Sequence, residues 1–124
     1  MKILVTDDSK MARKMVIKTL KDIIQDDIEI HEAQNGQEAL DLYKEILPNI
    51  VFLDLTMPVM DGFDALKEIK KFDNKAKVVI ISADIQKLSV DKVLELGAFN
   101  FIKKPIDSVK MQQIFDKLNK RDNS

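Results

Sequence analysis

The chain has 124 residues, of which 45% are hydrophobic and 33% charged, so it can form the core of one domain and is not mainly disordered. It contains no cysteine, which excludes disulfides, thiolate metal sites and cysteine nucleophiles. The 20 basic and 21 acidic residues give a net charge of −1, which argues against a general nucleic-acid or anionic-membrane surface.

Short apolar runs alternate with segments of helical periodicity along the chain. The apolar runs, three strong and two weaker, are 3–5, 28–33, 50–53, 78–81 and 99–103. The segments with the i, i+3, i+4 spacing of amphipathic helices are 12–23, 39–47, 65–69, 88–96 and 111–118. Unbroken apolar runs are typical of strands buried on both faces, while the alternating run 28–33 suits an edge. Five successive βα units predict an α/β fold, an open parallel sheet with helices on both faces.

The first helix is predicted to bury one stripe of residues and to expose the others. The stripe includes Met15, Val16 and Leu20, and the remaining residues include Arg13 among several lysines. We therefore expect Met11 and Met15 to fill the core or a loop. The basic face, Arg13 included, is expected in solvent.

Polar side chains follow four of the predicted strands directly. Asp7 and Asp8 follow the first strand, Asp54 the third, Ser82 the fourth and Lys104 the fifth. The carboxyl ends of parallel strands meet at one edge, where open α/β sheets bind ligands. Any one of these aspartates could simply cap a helix or a turn. Together they predict three carboxylates, a hydroxyl and a lysine in one site.

Crowded carboxylates repel one another and favour either proton uptake or a hard cation. Mg²⁺ is the expected ion, because it prefers oxygen ligands and takes one or two carboxylates plus a phosphate oxygen. Beside such an ion, a carboxylate can attack a phosphoryl group and become an aspartyl phosphate. On this hypothesis Asp54 attacks, Asp8 and Asp7 hold the metal, Lys104 offsets the charge of the oxygens, and Ser82 donates a hydrogen bond.

Four sequence motifs contain these residues and span nearly the whole chain. They are LVTDDS at 4–9, FLDLTMPVMDG at 52–62, ISA at 81–83 and GAFNFIKKP at 97–105. In this order, they resemble the motifs of the receiver domains of two-component response regulators. The resemblance implies a receiver domain over residues 1–120 with a polar tail at 121–124. It also implies a flavodoxin-like, doubly wound (βα)5 fold whose five-stranded parallel sheet has the order 2-1-3-4-5.

The resemblance assigns a role to each acidic residue. It implies that Asp54 accepts a phosphoryl group from a histidine kinase. Mg²⁺ is then held by Asp8, Asp54 and the backbone carbonyl of Thr56, and Asp7 reaches it through water. Thr56 and Asp84 flank the site at positions that tune how fast the phosphoryl group is lost.

The resemblance also selects a lysine and a switch pair. By charge alone Lys103 and Lys104 are equal candidates, but the family pattern selects Lys104, directly before Pro105, and implies a cis Lys104–Pro105 peptide. Ser82 and Phe101 take the switch positions, so the hydroxyl moves toward the phosphoryl group and the ring fills the vacated space. Phe101 stands where tyrosine is frequent, and the alternative is that it is simply a core aromatic of the last strand.

The implied function is that of a stand-alone response regulator, most like the chemotaxis type, and not of an enzyme. Its expected partners are a sensor histidine kinase and a downstream protein such as the flagellar motor switch, contacted through helix four, strand five and helix five. The resemblance places five residues on this face: Lys87, Lys92, Asn100, Phe101 and Lys104. We expect a monomer with no nucleic-acid partner. We also expect it in the cytoplasm with no membrane partner, because no apolar run approaches the roughly 20 residues of a membrane helix and no signal peptide is evident.

Three alternatives remain open. A Mg²⁺-dependent phosphohydrolase that forms an aspartyl phosphate usually has a second acid two residues after the nucleophile, where this chain has Thr56. An interaction module without chemistry usually lacks one of the site residues, all of which are present here. A receiver cut from a longer regulator is the third, although Met1 directly before the first strand favours a native start.

Overall fold

Five parallel strands form one sheet in the order β2-β1-β3-β4-β5. The computed structural model describes residues 1–83 and 87–122, and the side chains of all of these except 87–89 and 121–122. The strands are β1 (Lys2–Thr6), β2 (Glu29–Ala33), β3 (Ile50–Asp54), β4 (Val78–Ser82) and β5 (Asn100–Lys103). The helices are α1 (Lys10–Ile23), α2 (Gly36–Ile46), α3 (Gly62–Phe72), α4 (Lys87–Glu95) and α5 (Ser108–Asp122). The predicted doubly wound α/β fold and its strand order are confirmed.

The strand register aligns the carboxyl ends of the strands at one edge of the sheet. Thr6 at the end of β1 pairs with Leu53, and Ser82 at the end of β4 pairs with Lys103. The residues that follow these ends therefore lie side by side, next to Asp54 at the end of β3. This is the edge at which the sequence predicts the site.

Two apolar cores cover the two faces of the sheet. Alternate side chains of a strand point to opposite faces. Leu4 and Leu53 therefore pack with the α2, α3 and α4 side chains, whereas Val5 and Phe52 pack with those of α1 and α5. The strands β3 and β4 are buried along their whole length, and the edge strand β2 is partly exposed, as the hydrophobic pattern predicts.

The buried face of α1 differs from the prediction. Arg13 is only 7% exposed, while Met11 and Met15 are 70% and 50% exposed. The reason is that the Arg13 guanidinium finds two oxygen partners inside the protein, which makes its burial tolerable. The prediction that Arg13 is solvated, and that both methionines fill the core or a loop, is wrong.

Some element ends also differ from the sequence pattern. Leu47, predicted as the last apolar residue of the second helix, is 60% exposed and takes a left-handed φ of 49° after α2 ends. Helix α5 continues through Asp122, which lies inside the segment assigned to the polar tail. Among the described residues, no helix combines the length and apolar character needed to cross a membrane.

Candidate functional site

Three aspartates meet at the carboxyl edge of the sheet. Asp54 is the last residue of β3, and Asp7 and Asp8 lie in the loop between β1 and α1. One carboxylate oxygen of each residue lies within 4.8 Å of the others. Asp7 and Asp54 are buried, and Asp8 is exposed. The fold thus brings together the three carboxylates named from the sequence.

Lys104 joins this group from the far end of the chain. Its ammonium nitrogen Nζ lies 2.8 Å from Asp7 Oδ2 and 3.2 Å from Asp54 Oδ1. The peptide between Lys104 and Pro105 is cis. Lys103 is exposed. The lysine at the carboxylates is therefore the one directly before the proline.

The buried charges perturb one another. Burial raises the pKa of the Asp54 carboxyl, the charge of Asp7 raises it further, and Lys104 offsets part of the shift. Burial lowers the pKa of Lys104, but its interactions with Asp7 and Asp54 outweigh burial, and the net shift is upward. Lys104 is thus held charged, while ionisation of Asp54 is less favourable than in water and would be favoured by a further cation.

The loop after β3 is held close to Asp54 by two glycines. The N–H of Gly62 donates to the Leu55 carbonyl at 2.9 Å, and a Cβ at Gly62 would lie 2.4 Å from the Asp54 carbonyl oxygen. The N–H of Gly36 donates to the Met60 carbonyl at 2.9 Å, where a Cβ would again meet the oxygen at 2.4 Å. Only glycine allows both approaches. The loop that carries the exposed Thr56 is thereby fixed at the base of the site.

Ser82 and Phe101 lie on the neighbouring strands β4 and β5. Ser82 is buried at the end of β4, and its carbonyl accepts a 2.8 Å hydrogen bond from the Lys104 N–H. Phe101 is half-buried and packs against the core formed with α2, α3 and α4. The ring therefore has contacts with the protein interior and also reaches the surface. Asp84, predicted to flank the site, lies outside the described residues.

Arg13 and Glu32 are near the site, although the sequence analysis did not place them there. The Arg13 Nη1 donates to the Asp7 backbone carbonyl at 2.7 Å, and its Nε donates to Glu32 Oε1 at 2.9 Å. Arg13 falls in an i, i+3, i+7 series with the buried Val16 and Leu20. That spacing is a signal from which its burial could have been predicted.

The donor set of the acidic group fits Mg²⁺. All three side chains supply carboxylate oxygens, which are the ligands that this ion prefers. Three carboxylates and one lysine leave a surplus of negative charge that a divalent cation would neutralise. Asp8 is exposed, so water can reach the site, and Mg²⁺ usually keeps several water ligands.

Comparison with known proteins agrees with this geometry. Residues 3–116 match the model of the response regulator receiver domain. The chain is 41% identical over 121 residues to the chemotaxis protein CheY of Thermotoga maritima, covering 96% of this chain and 98% of that protein. It is 39% identical over 118 residues to CheY of Bacillus subtilis, covering 94% and 95% of the two chains.

Solved structures give the same result. A chain in the crystal structure of the CheX–CheY–BeF3–Mg²⁺ complex from Borrelia burgdorferi is 35% identical and superposes with a TM-score of 0.88. The match covers 95% of this chain and 88% of the other. Sequence and structure therefore agree over nearly the full length of the chain. The chain belongs to the response regulator receiver family and is a CheY-like member of it.

Proposed function

We propose that Asp54 of this CheY-like signalling domain accepts a phosphoryl group in a Mg²⁺-dependent reaction, and that the modification changes the surface formed by α4, β5 and α5. The convergence of three carboxylates, two of which contact Lys104, is the observation that carries the proposal. A structural cap would require only one aspartate. Binding of a cation and a phosphoryl group would account for a buried cluster with excess negative charge.

Each residue has a defined part in this proposal. A carboxylate oxygen of Asp54 attacks the phosphorus of a phosphohistidine, an O–P bond forms, and the P–N bond to the histidine breaks. The ammonium group of Lys104, already 3.2 Å from Asp54, is placed to pair with a phosphoryl oxygen. Asp8, Asp54 and the Thr56 carbonyl would hold Mg²⁺, with Asp7 contacting it through water, and the ion would supply positive charge to neutralise the transferred group.

The response to phosphorylation starts at Ser82. The added group brings a charge of roughly −1.5 to −2 and strong acceptor oxygens, toward which the hydroxyl can turn. The half-buried ring of Phe101 then moves further into the space beside β4. Because a phenylalanine has no hydroxyl, this movement changes only the apolar part of the surface. It shifts the population between two packings of the same fold.

The surface affected is the one proposed to contact partners. Phe101 and Asn100 lie on the edge strand β5, next to the exposed Lys103. Lys92 lies on α4, where its Nζ sits 4.5 Å from the centre of the Phe63 ring of α3. The side chain of Lys87 lies outside the described residues. We propose a sensor histidine kinase as donor and a chemotaxis protein, such as the flagellar switch, as target.

Labelling with a small phosphodonor tests the proposed chemistry. The protein is incubated with acetyl phosphate and Mg²⁺, and the modified peptide is mapped. We expect one labelled residue, Asp54, with no label in Asp54→Asn or with a chelator present. Asp26→Asn, which changes an exposed aspartate, is the matched control and should label as the wild type does.

Two outcomes would contradict the proposal. Asp54→Asn that gains label at the same site and rate would remove Asp54 from the acceptor role. Repeated turnover of a phosphomonoester would favour a phosphohydrolase, although Thr56 stands where such enzymes usually carry a second acid.

A further inference from the structure

We infer that Arg13 is a positioning residue for the metal site, acting through the peptide that joins Asp7 to Asp8, with Glu32 of β2 as its anchor. The inference rests on the proposed function, because it concerns the ligands of the same Mg²⁺ ion. It adds a helix residue and an edge-strand residue to a site that is otherwise built from the ends of β1, β3 and β5.

The contacts of Arg13 are directed at the backbone of the site. Its guanidinium Nη1 donates to the Asp7 carbonyl at 2.7 Å, in a buried hydrogen bond. Its Nε donates to Glu32 Oε1 at 2.9 Å. A buried guanidinium is unfavourable unless it is paired and hydrogen-bonded. An apolar residue at this position would pack against the core without such partners. The presence of an arginine is therefore explained by its hydrogen bonds to the Asp7 carbonyl and to Glu32.

The bond to the Asp7 carbonyl fixes the directions of both ligand residues. A peptide unit is planar, so the orientation of the Asp7 carbonyl also sets the position of the Asp8 N–H and Cα. On the other side, the Asp7 N–H donates to the Ala33 carbonyl of β2 at 3.2 Å. The Asp7 side chain in turn accepts from the Ser9 N–H at 2.9 Å. Arg13 therefore completes a set of hydrogen bonds that holds the loop between β1 and α1 in a single arrangement.

Position, rather than electric field, is the route by which Arg13 acts. The charged neighbours that shift the pKa of Asp54 are Asp7, Lys104 and Asp8. Within the described part of the chain, the hydrogen bond of Arg13 to the site goes to the Asp7 backbone carbonyl. Its removal should therefore weaken the geometry of ion binding and leave the chemistry of the ion-loaded site intact.

Mg²⁺ binding by isothermal titration calorimetry tests the inference on the full chain. Groups that orient metal ligands typically change affinity by about 10- to 100-fold when they are removed, so Arg13→Met should raise the Mg²⁺ dissociation constant by about tenfold or more. The dissociation constant of Arg13→Lys should lie between those of the wild type and Arg13→Met, because a lysine can replace one of the two hydrogen bonds but not both. Lys14→Met removes a neighbouring exposed charge and should bind Mg²⁺ as the wild type does.

Two further readouts separate positioning from general destabilisation. Labelling of Arg13→Met by acetyl phosphate should need more Mg²⁺ but approach the wild-type rate at saturation. Without Mg²⁺, amide hydrogen exchange at Asp7 and Ser9 should accelerate in this variant, while the amides of β3 keep their protection. Glu32→Gln removes the anchoring charge from a half-exposed side chain and should shift Mg²⁺ affinity in the same direction.

A folded Arg13→Met or Arg13→Lys that binds Mg²⁺ as tightly as the wild type would overturn the inference. If Arg13→Met does not fold, an unchanged Mg²⁺ affinity in both Arg13→Lys and Glu32→Gln would overturn it as well. A wild type that binds Mg²⁺ but takes no label would refute the proposed function alone, because the affinity series would still measure the role of Arg13.

Discussion

Replacing Gly62 with alanine should displace Asp54, the proposed phosphoacceptor. Gly62 begins α3, and its N–H donates to the Leu55 carbonyl at 2.9 Å. A Cβ at this position would lie 2.4 Å from the Asp54 carbonyl oxygen and 2.8 Å from the Leu55 Cα. Ordinary contacts of a Cβ begin near 3.4 Å, so the backbone on one side must move by about 1 Å. The groups in contact are backbone atoms, which cannot swing aside as a side chain can.

The size of the effect follows from that movement. Forcing extra atoms into a packed region costs about 1–3 kcal/mol in the free energy of unfolding. A displacement of about 1 Å at a reacting group can lower a rate by about 100-fold. We therefore expect Gly62→Ala to fold with reduced stability and to be labelled by acetyl phosphate about 10- to 100-fold more slowly at saturating Mg²⁺.

Gly97→Ala is the matched control. Gly97 has a φ of +97°, which an alanine adopts only with strain of about 1–2 kcal/mol. The nearest atom to its added Cβ is the Lys70 Cε at 2.8 Å, the far end of a flexible side chain at the opposite edge of the sheet. This variant should lose comparable stability in urea denaturation and keep its labelling rate. Equal rate losses in both variants, or a wild-type rate in Gly62→Ala, would refute the reasoning.

Three further predictions concern stability. Asp54→Asn removes a charge that burial and Asp7 disfavour, so without Mg²⁺ it should melt several degrees above the wild type at neutral pH. The raised pKa of Asp54 disfavours folding of the wild type only where the carboxyl is ionised. The advantage of Asp54→Asn should therefore vanish in acid, below the ordinary pKa of 3.8. A constant advantage in a pH series of melts would contradict this prediction. Val59 is 83% exposed with a φ of 69°, so Val59→Asn should add about 1 kcal/mol in urea denaturation and leave Mg²⁺ affinity unchanged. Tyr43→Phe removes a 2.7 Å hydrogen bond to Asp73 and should lose about 1 kcal/mol. That bond lowers the pKa of Asp73, so it contributes to stability only while Asp73 is ionised. The loss of unfolding free energy in Tyr43→Phe should therefore shrink as the pH of the urea series falls through the lowered pKa of Asp73.

The fold could be predicted because each strand has its own hydrophobic pattern in a short stretch of the sequence. Runs such as 50–53 and 78–81 are apolar without alternation, which is typical of strands covered on both faces. Their carboxyl ends share one edge in any parallel sheet, so the meeting of Asp7, Asp54 and a lysine after the last strand follows from strand assignment, and the family resemblance selects Lys104. The strand order does not follow from periodicity, and it was the family resemblance that supplied it.

The surroundings of the site could not be predicted in the same way. Charge alone does not distinguish Lys103 from Lys104, because the choice depends on how the chain turns after β5. The burial of Arg13 depends on Glu32 and on the Asp7 carbonyl, which belong to other elements. A hydropathy pattern assigns an arginine to solvent because it contains no information about such partners. The exposure of Met11 follows from the same shift of the buried face of α1.

The site exists only when the two ends of the domain are joined. The hydrogen bond from Lys104 to Asp7 links residues 97 positions apart, and Asp54 lies between them on the central strand β3. No part of this arrangement survives in the unfolded chain, so any ligand of the site binds the folded state selectively and stabilises it. A cation that neutralises the carboxylates therefore strengthens the whole sheet. A phosphoryl group on Asp54 instead adds negative charge at the same point. On the proposed function, the ammonium group of Lys104, which contacts both Asp7 and Asp54, would then also pair with the new oxygens, alongside the response that begins at Ser82.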